Sequence, residues 1–262
     1  MVFDGRKNII EIDDDEKVIY FDTWKPKKIT GHRMGAILGY SEFATPFKAA
    51  CEIGGLYPGD KANKYIDAGN IIEPILREYS RTRIADIEAA TGLTGLSIEE
   101  PAPAENCQYD HFHNEKLFGG MVDGYFLSGG KRVGVLEIKT SSDRTKWLDE
   151  DGNVTKVPMS YILQAGLYTY LSHLDKMVFM VGFLEEDDYR VPSKWVPTED
   201  NTAIVAMDVP DMEKYMKEAE DWYKEYILTG CTPEWDDEKD ADLLKYLRAK
   251  PASDNRKKHG RR

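Results

Sequence analysis

The middle of the chain constrains the fold most. Residues 117–127 and 132–140 read as two strands joined at Ser128-Gly129-Gly130, a glycine pair suited to a tight hairpin turn. Val133, Val135 and Ile138 are β-branched, as a buried strand prefers. Glu137 and Lys139 are two residues apart and project from one face, while Asp123 precedes Gly124 at an end or bend of the facing strand. Paired as a hairpin, the strands bring Asp123 and Glu137 together. Two close carboxylates repel each other, and a divalent cation relieves the repulsion. Carboxylate oxygens are hard ligands that suit Mg²⁺ or Mn²⁺. An ion held there polarises a phosphodiester and acidifies a water molecule. Lys139 can orient that water and stabilise the developing charge. The alternative for this D-x13-E-x-K spacing taken alone is an exposed hairpin with a surface Glu–Lys face, because short patterns recur by chance.

The flanking sequence supplies helices and further strands. Thr30 to Leu38 reads as the start of a short helix, and Thr45 as an N-cap with Pro46 at N1 of a second, ended by Gly54-Gly55. The spacing of Tyr65, Ile66, Ile72, Ile75, Leu76 and Tyr79 predicts a long helix over 63–82, with a kink or break at Pro74. Residues 140–156 read as a polar loop, 158–173 as a helix, 176–184 and 203–209 as strands, and 210–228 as an amphipathic helix stopped by Gly230. This order predicts an α/β or α+β core, a mixed central β-sheet flanked by helices. Glu73 lies on the long helix, and Gln164 and Tyr168 share a face of the later one at i, i+4. Read singly, Glu73 and Gln164 also fit a polar helix surface, and Tyr168 fits a core.

Four short motifs occur in order: G-x-x-x-E-P at Gly69–Pro74, V-D-G at Val122–Gly124, E-I-K at Glu137–Lys139, and Q-x-x-x-Y at Gln164–Tyr168. Together they resemble the RecB-type branch of the PD-(D/E)XK nucleases, with a restriction-endonuclease-like core. More narrowly they resemble the phage-type YqaJ recombinases, relatives of phage lambda exonuclease. The resemblance runs from about Lys28 to Trp235 and includes the closing Gly230-Cys231-Thr232-Pro233. It implies that Glu73, Asp123, Glu137 and the Ile138 carbonyl bind one or two Mg²⁺ ions, with Mn²⁺ as a substitute. It makes Lys139 the catalytic lysine and Gln164 a catalytic helper. It places Lys28, His32, Arg33, Tyr161, Gln164 and Tyr168 against DNA. Relatives degrade linear duplex DNA from the 5′ end, which implies a 5′–3′ exonuclease acting in phage-type recombination, with a single-strand annealing protein as partner and a ring-shaped homo-oligomer as its assembly. Two departures stand out. His32 replaces a serine that many members use near the terminal 5′-phosphate, and the central motif is Val-Asp rather than Pro-Asp. The first keeps open a structure- or site-directed endonuclease. A non-catalytic DNA-binding module on the same scaffold is the third reading, and the complete acid–acid–lysine set weighs against it.

A net charge of −12 argues against nucleic-acid binding if taken alone. The acid is clumped at 13–16, 185–188 and 234–242, however, and base gathers at Lys25, Lys27, Lys28 and Arg33, at Arg77, Arg81 and Arg83, and at Arg256–Arg262. This permits a local basic groove. Three dispersed cysteines exclude a disulfide framework and an iron–sulfur cluster. No G-x-x-x-x-G-K-[ST] phosphate loop is present. His111 and His113 lack further metal ligands and read as structural, and Trp147 reads as either a tether or a DNA contact. No apolar run approaches the ~20 residues of a membrane helix, and Met1–Glu11 has no signal-type apolar block. The expected compartment is the cytoplasm of a bacterial or phage-infected cell. The expected organisation is an N-terminal arm (1–24), a nuclease domain (25–235) and a charged, mobile tail (236–262).

Overall fold

A computed structural model describes residues 4–23 and 25–249. The chain opens with strands β1 (Ile9–Asp13), β2 (Val18–Phe21) and the two-residue β3 (Ile29–Thr30). Helices α1 (Gly31–Ile37), α2 (Pro46–Ile53), α3 (Lys64–Thr82) and α4 (Ile84–Thr91) follow. Next come β4 (Leu96–Glu99), β5 (Phe118–Gly119), β6 (Gly124–Ser128), β7 (Lys131–Ser141), α5 (Met159–Leu171), β8 (Lys176–Phe183) and β9 (Thr202–Asp208). The described chain closes with α6 (Met212–Trp222) and α7 (Ala241–Arg248). The described residues of 1–28, 36–60 and 218–262 form one compact unit, and those of 29–35 and 61–217 form another.

The second unit holds a mixed five-stranded sheet of order β4-β6-β7-β8-β9, in which β7 and β8 are parallel and the other neighbours antiparallel. The expected hairpin is β6–β7. Its two-residue turn, Gly129-Gly130, has φ 57 and 76, the left-handed pair that suits the twist of the strands and that glycine adopts without strain. Helix α5 carries the chain from β7 to its parallel neighbour β8, as parallel pairing requires. Strand parity then assigns the layers. Leu136, Ile138, Val178 and Met180 pack with Ala68, Ile72 and Leu76 of α3 and Ile87 of α4. Met177, Phe179 and Val181 pack on the other face with Ala165 of α5, Trp147 and Val157. Each fully buried Leu, Ile, Val, Met or Phe side chain among them contributes about 1.5–3 kcal/mol of transfer free energy. Glu137 pairs with Phe179 across the ladder, so its parity points to the α5 layer.

Four elements differ from expectation. Residues 117–127 are not one strand: β5 ends at Gly119, β6 starts at Gly124, and β5 pairs parallel with β3 instead. The break follows from Gly120, at φ 138, where a Cβ would stand 2.5 Å from the Tyr168 hydroxyl. Helix α3 starts from an Asn63 cap and runs unbroken through Pro74. Helix α4 and edge strand β4 carried no pattern strong enough to predict them.

In the first unit, β1 and β2 form an antiparallel hairpin. Thr45 caps α2 as expected, its hydroxyl accepting the Lys48 N–H at 3.0 Å. Residues 236–249 are not an unstructured tail: α7 buries Leu243, Leu244 and Leu247. The basic cluster Arg256–Arg262 lies outside the described residues.

Candidate active site

The last β6–β7 partners are Gly124 and Leu136, so β7 runs on past the end of β6. There the Ile138 N–H, which has no strand to pair with on that side, donates to Asp123 Oδ2 at 2.7 Å. The N–H and C=O of one strand residue leave the same edge, so the Ile138 carbonyl faces the same gap. Glu137 is fully buried. Its Oε1 accepts from Lys139 Nζ at 2.6 Å, and its Oε2 is buried without a partner. A buried carboxylate oxygen with no donor is costly, which marks the position as one shaped for something other than stability. Lys139 Nζ also donates to Gln164 Oε1 at 3.2 Å and lies 5.0 Å from the centre of the Tyr161 ring. Tyr161 in turn stacks on Trp147, which is 1% exposed and therefore tethers the loop after β7 rather than meeting DNA.

The electrostatics follow from burial and crowding. Burial pushes the Glu137 carboxyl up to about 8; the Lys139 ammonium opposes this, and Asp123 and Glu73 add to it. Burial also raises Asp123, against the pull of Lys139, the Ile138 N–H and Arg77. Glu73 is raised by burial and by Asp123, with Arg77 opposing. Burial works to lower Lys139, and Glu137 and Asp123 outweigh it and hold it above its ordinary value. Because Glu137 binds its proton more tightly folded than unfolded, its contribution to stability is full below about pH 4.5 and is lost as pH rises towards 8. In EDTA, the stability of wild type minus that of Glu137→Gln is expected to fall by at least ~1 kcal/mol between pH 5 and pH 8, or about 2–4 °C in Tm. Thermal unfolding at several pH values measures it, and a difference that stays flat or rises with pH contradicts the assignment.

Among the described residues, no three acid, histidine or cysteine side chains stand in metal-holding geometry. Glu73 is engaged instead by the Arg77 guanidinium. The oxygens offered near this edge are those of the Asp123 carboxylate, the unpartnered Glu137 Oε2 and the Ile138 carbonyl. This small hard-oxygen set fits Mg²⁺, which is commonly held by one or two carboxylates and completed by water and substrate phosphate.

The start of α1 lies against this centre. A Cβ on Gly31 would stand 2.7 Å from the Tyr168 ring and 2.9 Å from Gln164 Cγ, so only glycine lets the two elements approach. His32 and Arg33 follow directly, each meeting the Thr30 hydroxyl, at 3.0 and 3.2 Å. Lys28 belongs to the other unit. Tyr168 is buried, accepts backbone N–H bonds from Gly31 and Met121, and stacks on Phe112. It packs as the core reading of this residue expects, whereas a buried ring has no surface for the expected DNA contact. Arg77, Arg81 and Arg83 do not line a basic groove: they pair with Glu73 and Glu100, Glu78, and Asp86. His111 is structural, its Nδ1 accepting from the Val122 N–H at 3.0 Å and its Nε2 facing the Ala102 carbonyl at 2.9 Å. Sequence reasoning missed Arg77 as part of the centre. Its i, i+4 spacing from Glu73 was the available signal.

A mixed sheet between helical layers, with an acid, a second acid and a lysine converging where β6 gives out beside β7, defines the PD-(D/E)XK class. Within that class the chain belongs to the YqaJ-like viral recombinase domain family, which matches residues 20–174. The chain is 28% identical to the uncharacterized protein MG373 of Mycoplasma genitalium, over 79% of this chain and 83% of that protein. Its fold is similar to that of the alkaline exonuclease of Laribacter hongkongensis, with a TM-score of 0.51, 16% identity, and coverage of 86% of this chain and 93% of that one. It is also similar to a phage-related exonuclease of Haemophilus somnus, with a TM-score of 0.50, 13% identity, and coverage of 84% and 97%. No helix among the described residues is long and apolar enough to cross a membrane.

Proposed function

We propose that the protein is a Mg²⁺-dependent deoxyribonuclease that degrades linear duplex DNA from its 5′ ends. The observation that carries this reading is the buried Glu137–Lys139 pair beside Asp123, with Glu137 Oε2 left unpartnered. Asp123, Glu137 and the Ile138 carbonyl hold the ion, and Mn²⁺ substitutes for it. When bound, the ion supplies concentrated positive charge at the scissile phosphodiester and makes a water molecule acidic enough to attack. Lys139, oriented by Glu137 and Gln164, directs its remaining donor capacity at the attacking water or the phosphoryl oxygens. The Tyr161 ring, backed by Trp147, faces the Lys139 ammonium at 5.0 Å. His32 and Arg33, on the segment packed against Gln164, supply the basic edge for the DNA end. Membership of a viral recombinase family supports a place in recombination. A single-strand annealing partner and a ring of identical subunits are part of the same proposal.

The test is digestion of end-labelled linear duplex and of closed-circular duplex with Mg²⁺. Early release of the 5′ label, progressive shortening and surviving circles are expected. Cut circles select the structure- or site-directed endonuclease that His32 keeps open, and early release of the 3′ label overturns the polarity.

A further inference from the structure

We propose that Arg77 is a positioning residue that fixes the main chain of Asp123 and thereby sets how tightly the centre holds its ion, an inference that rests on the metal-dependent reading above. Arg77 lies one helical turn after Glu73 on α3, and its side chain is only 12% exposed. All three faces of its guanidinium are engaged. Nε donates to the Asp123 carbonyl at 2.8 Å, Nη1 to Glu100 Oε1 at 3.0 Å, and Nη2 to Glu73 Oε1.

The Asp123 carbonyl matters because residues 120–123 lie between β5 and β6, outside any strand. A ladder would fix an aspartate in a strand, whereas here three single bonds do so from three directions. The His111 ring takes the Val122 N–H, Arg77 takes the Asp123 carbonyl, and the Ile138 N–H takes the Asp123 carboxylate. Loss of the Arg77 bond frees the 123–124 peptide to rotate and carries the carboxylate with it. Glu73 then acts through Arg77, orienting the guanidinium, rather than as a ligand. A lysine at 77 retains a charge but cannot form this planar, three-way fork.

Two roles for Arg77 predict opposite signs. A guanidinium that served only as a counter-charge would repel a cation, so its removal would tighten ion binding. A guanidinium that positions Asp123 weakens ion binding when removed, by about 10–100-fold, the usual cost of losing a hydrogen-bond partner behind a metal ligand. The experiment titrates Mn²⁺ into the full-length protein, by calorimetry or by electron paramagnetic resonance. Wild type, Asp123→Asn, Arg77→Met, Arg77→Lys and Glu100→Gln are compared, with circular dichroism to verify folding. The proposal expects Asp123-dependent Mn²⁺ binding in wild type, about 10–100-fold weaker binding in both Arg77 variants, and little change in Glu100→Gln. Unchanged or tighter binding in Arg77→Met overturns it, as does full affinity in Arg77→Lys. Arg77→Lys decides the matter if Arg77→Met does not fold. Absence of Asp123-dependent Mn²⁺ binding in wild type instead overturns the metal-dependent reading, and this inference with it.

Discussion

Asp123→Asn is expected to lower DNA cleavage at least about 10³-fold while leaving the fold intact. The substitution is nearly isosteric, and the amide oxygen can still accept the Ile138 N–H that Asp123 Oδ2 takes at 2.7 Å. It removes the negative charge, however, and places an NH₂ donor where an oxygen ligand is required. The positive charge assembled at the phosphodiester is worth several kcal/mol of transition-state stabilisation, and each ~1.4 kcal/mol is tenfold in rate. Single-turnover cleavage compared with DNA binding separates the two effects. Loss of binding in step with loss of rate would move Asp123 from chemistry to substrate recognition.

Lys139→Met is expected to lower kcat by about 10²–10³-fold, the range seen when one donor aimed at developing charge is deleted. Methionine preserves most of the length of the side chain and removes the ammonium that Glu137 and Gln164 hold in place beside the Tyr161 ring. It also removes the charge that pulls Glu137 below where burial would set it, so in the metal-free protein the carboxyl rises further. The expected signature is therefore a low kcat with DNA binding retained. An unchanged rate would make Lys139 merely the structural counter-ion of Glu137.

The residues of the centre were legible in the sequence to the extent that strand periodicity governs them. Two-residue spacing places Glu137 and Lys139 on one face whatever surrounds them, and Gly129-Gly130 fixes the hairpin that carries them. Thr45 announced its helix because a cap is a local hydrogen bond. What sequence could not give depends on neighbours distant along the chain. The break at 120–123 comes from the approach of Tyr168 to Gly120, 48 positions away. Arg77 reads as one base among three until folding brings the Asp123 carbonyl, 46 residues on, against its Nε. Helix α7 was hidden because the charges of 236–242 outweigh the short stripe of Leu243, Leu244 and Leu247. Arg77, Arg81 and Arg83 likewise each find an acid that composition cannot pair with them.

The most direct measurement follows linear duplex DNA over time with the full-length protein in Mg²⁺, in EDTA, and with Asp123→Asn replacing wild type. The account predicts progressive shortening in Mg²⁺ alone and intact DNA in the other two. Cleavage that persists in EDTA or in the variant contradicts it. So does intact DNA in both Mg²⁺ and Mn²⁺ while the protein still binds the duplex, which would make the fold a DNA-binding scaffold without a reaction.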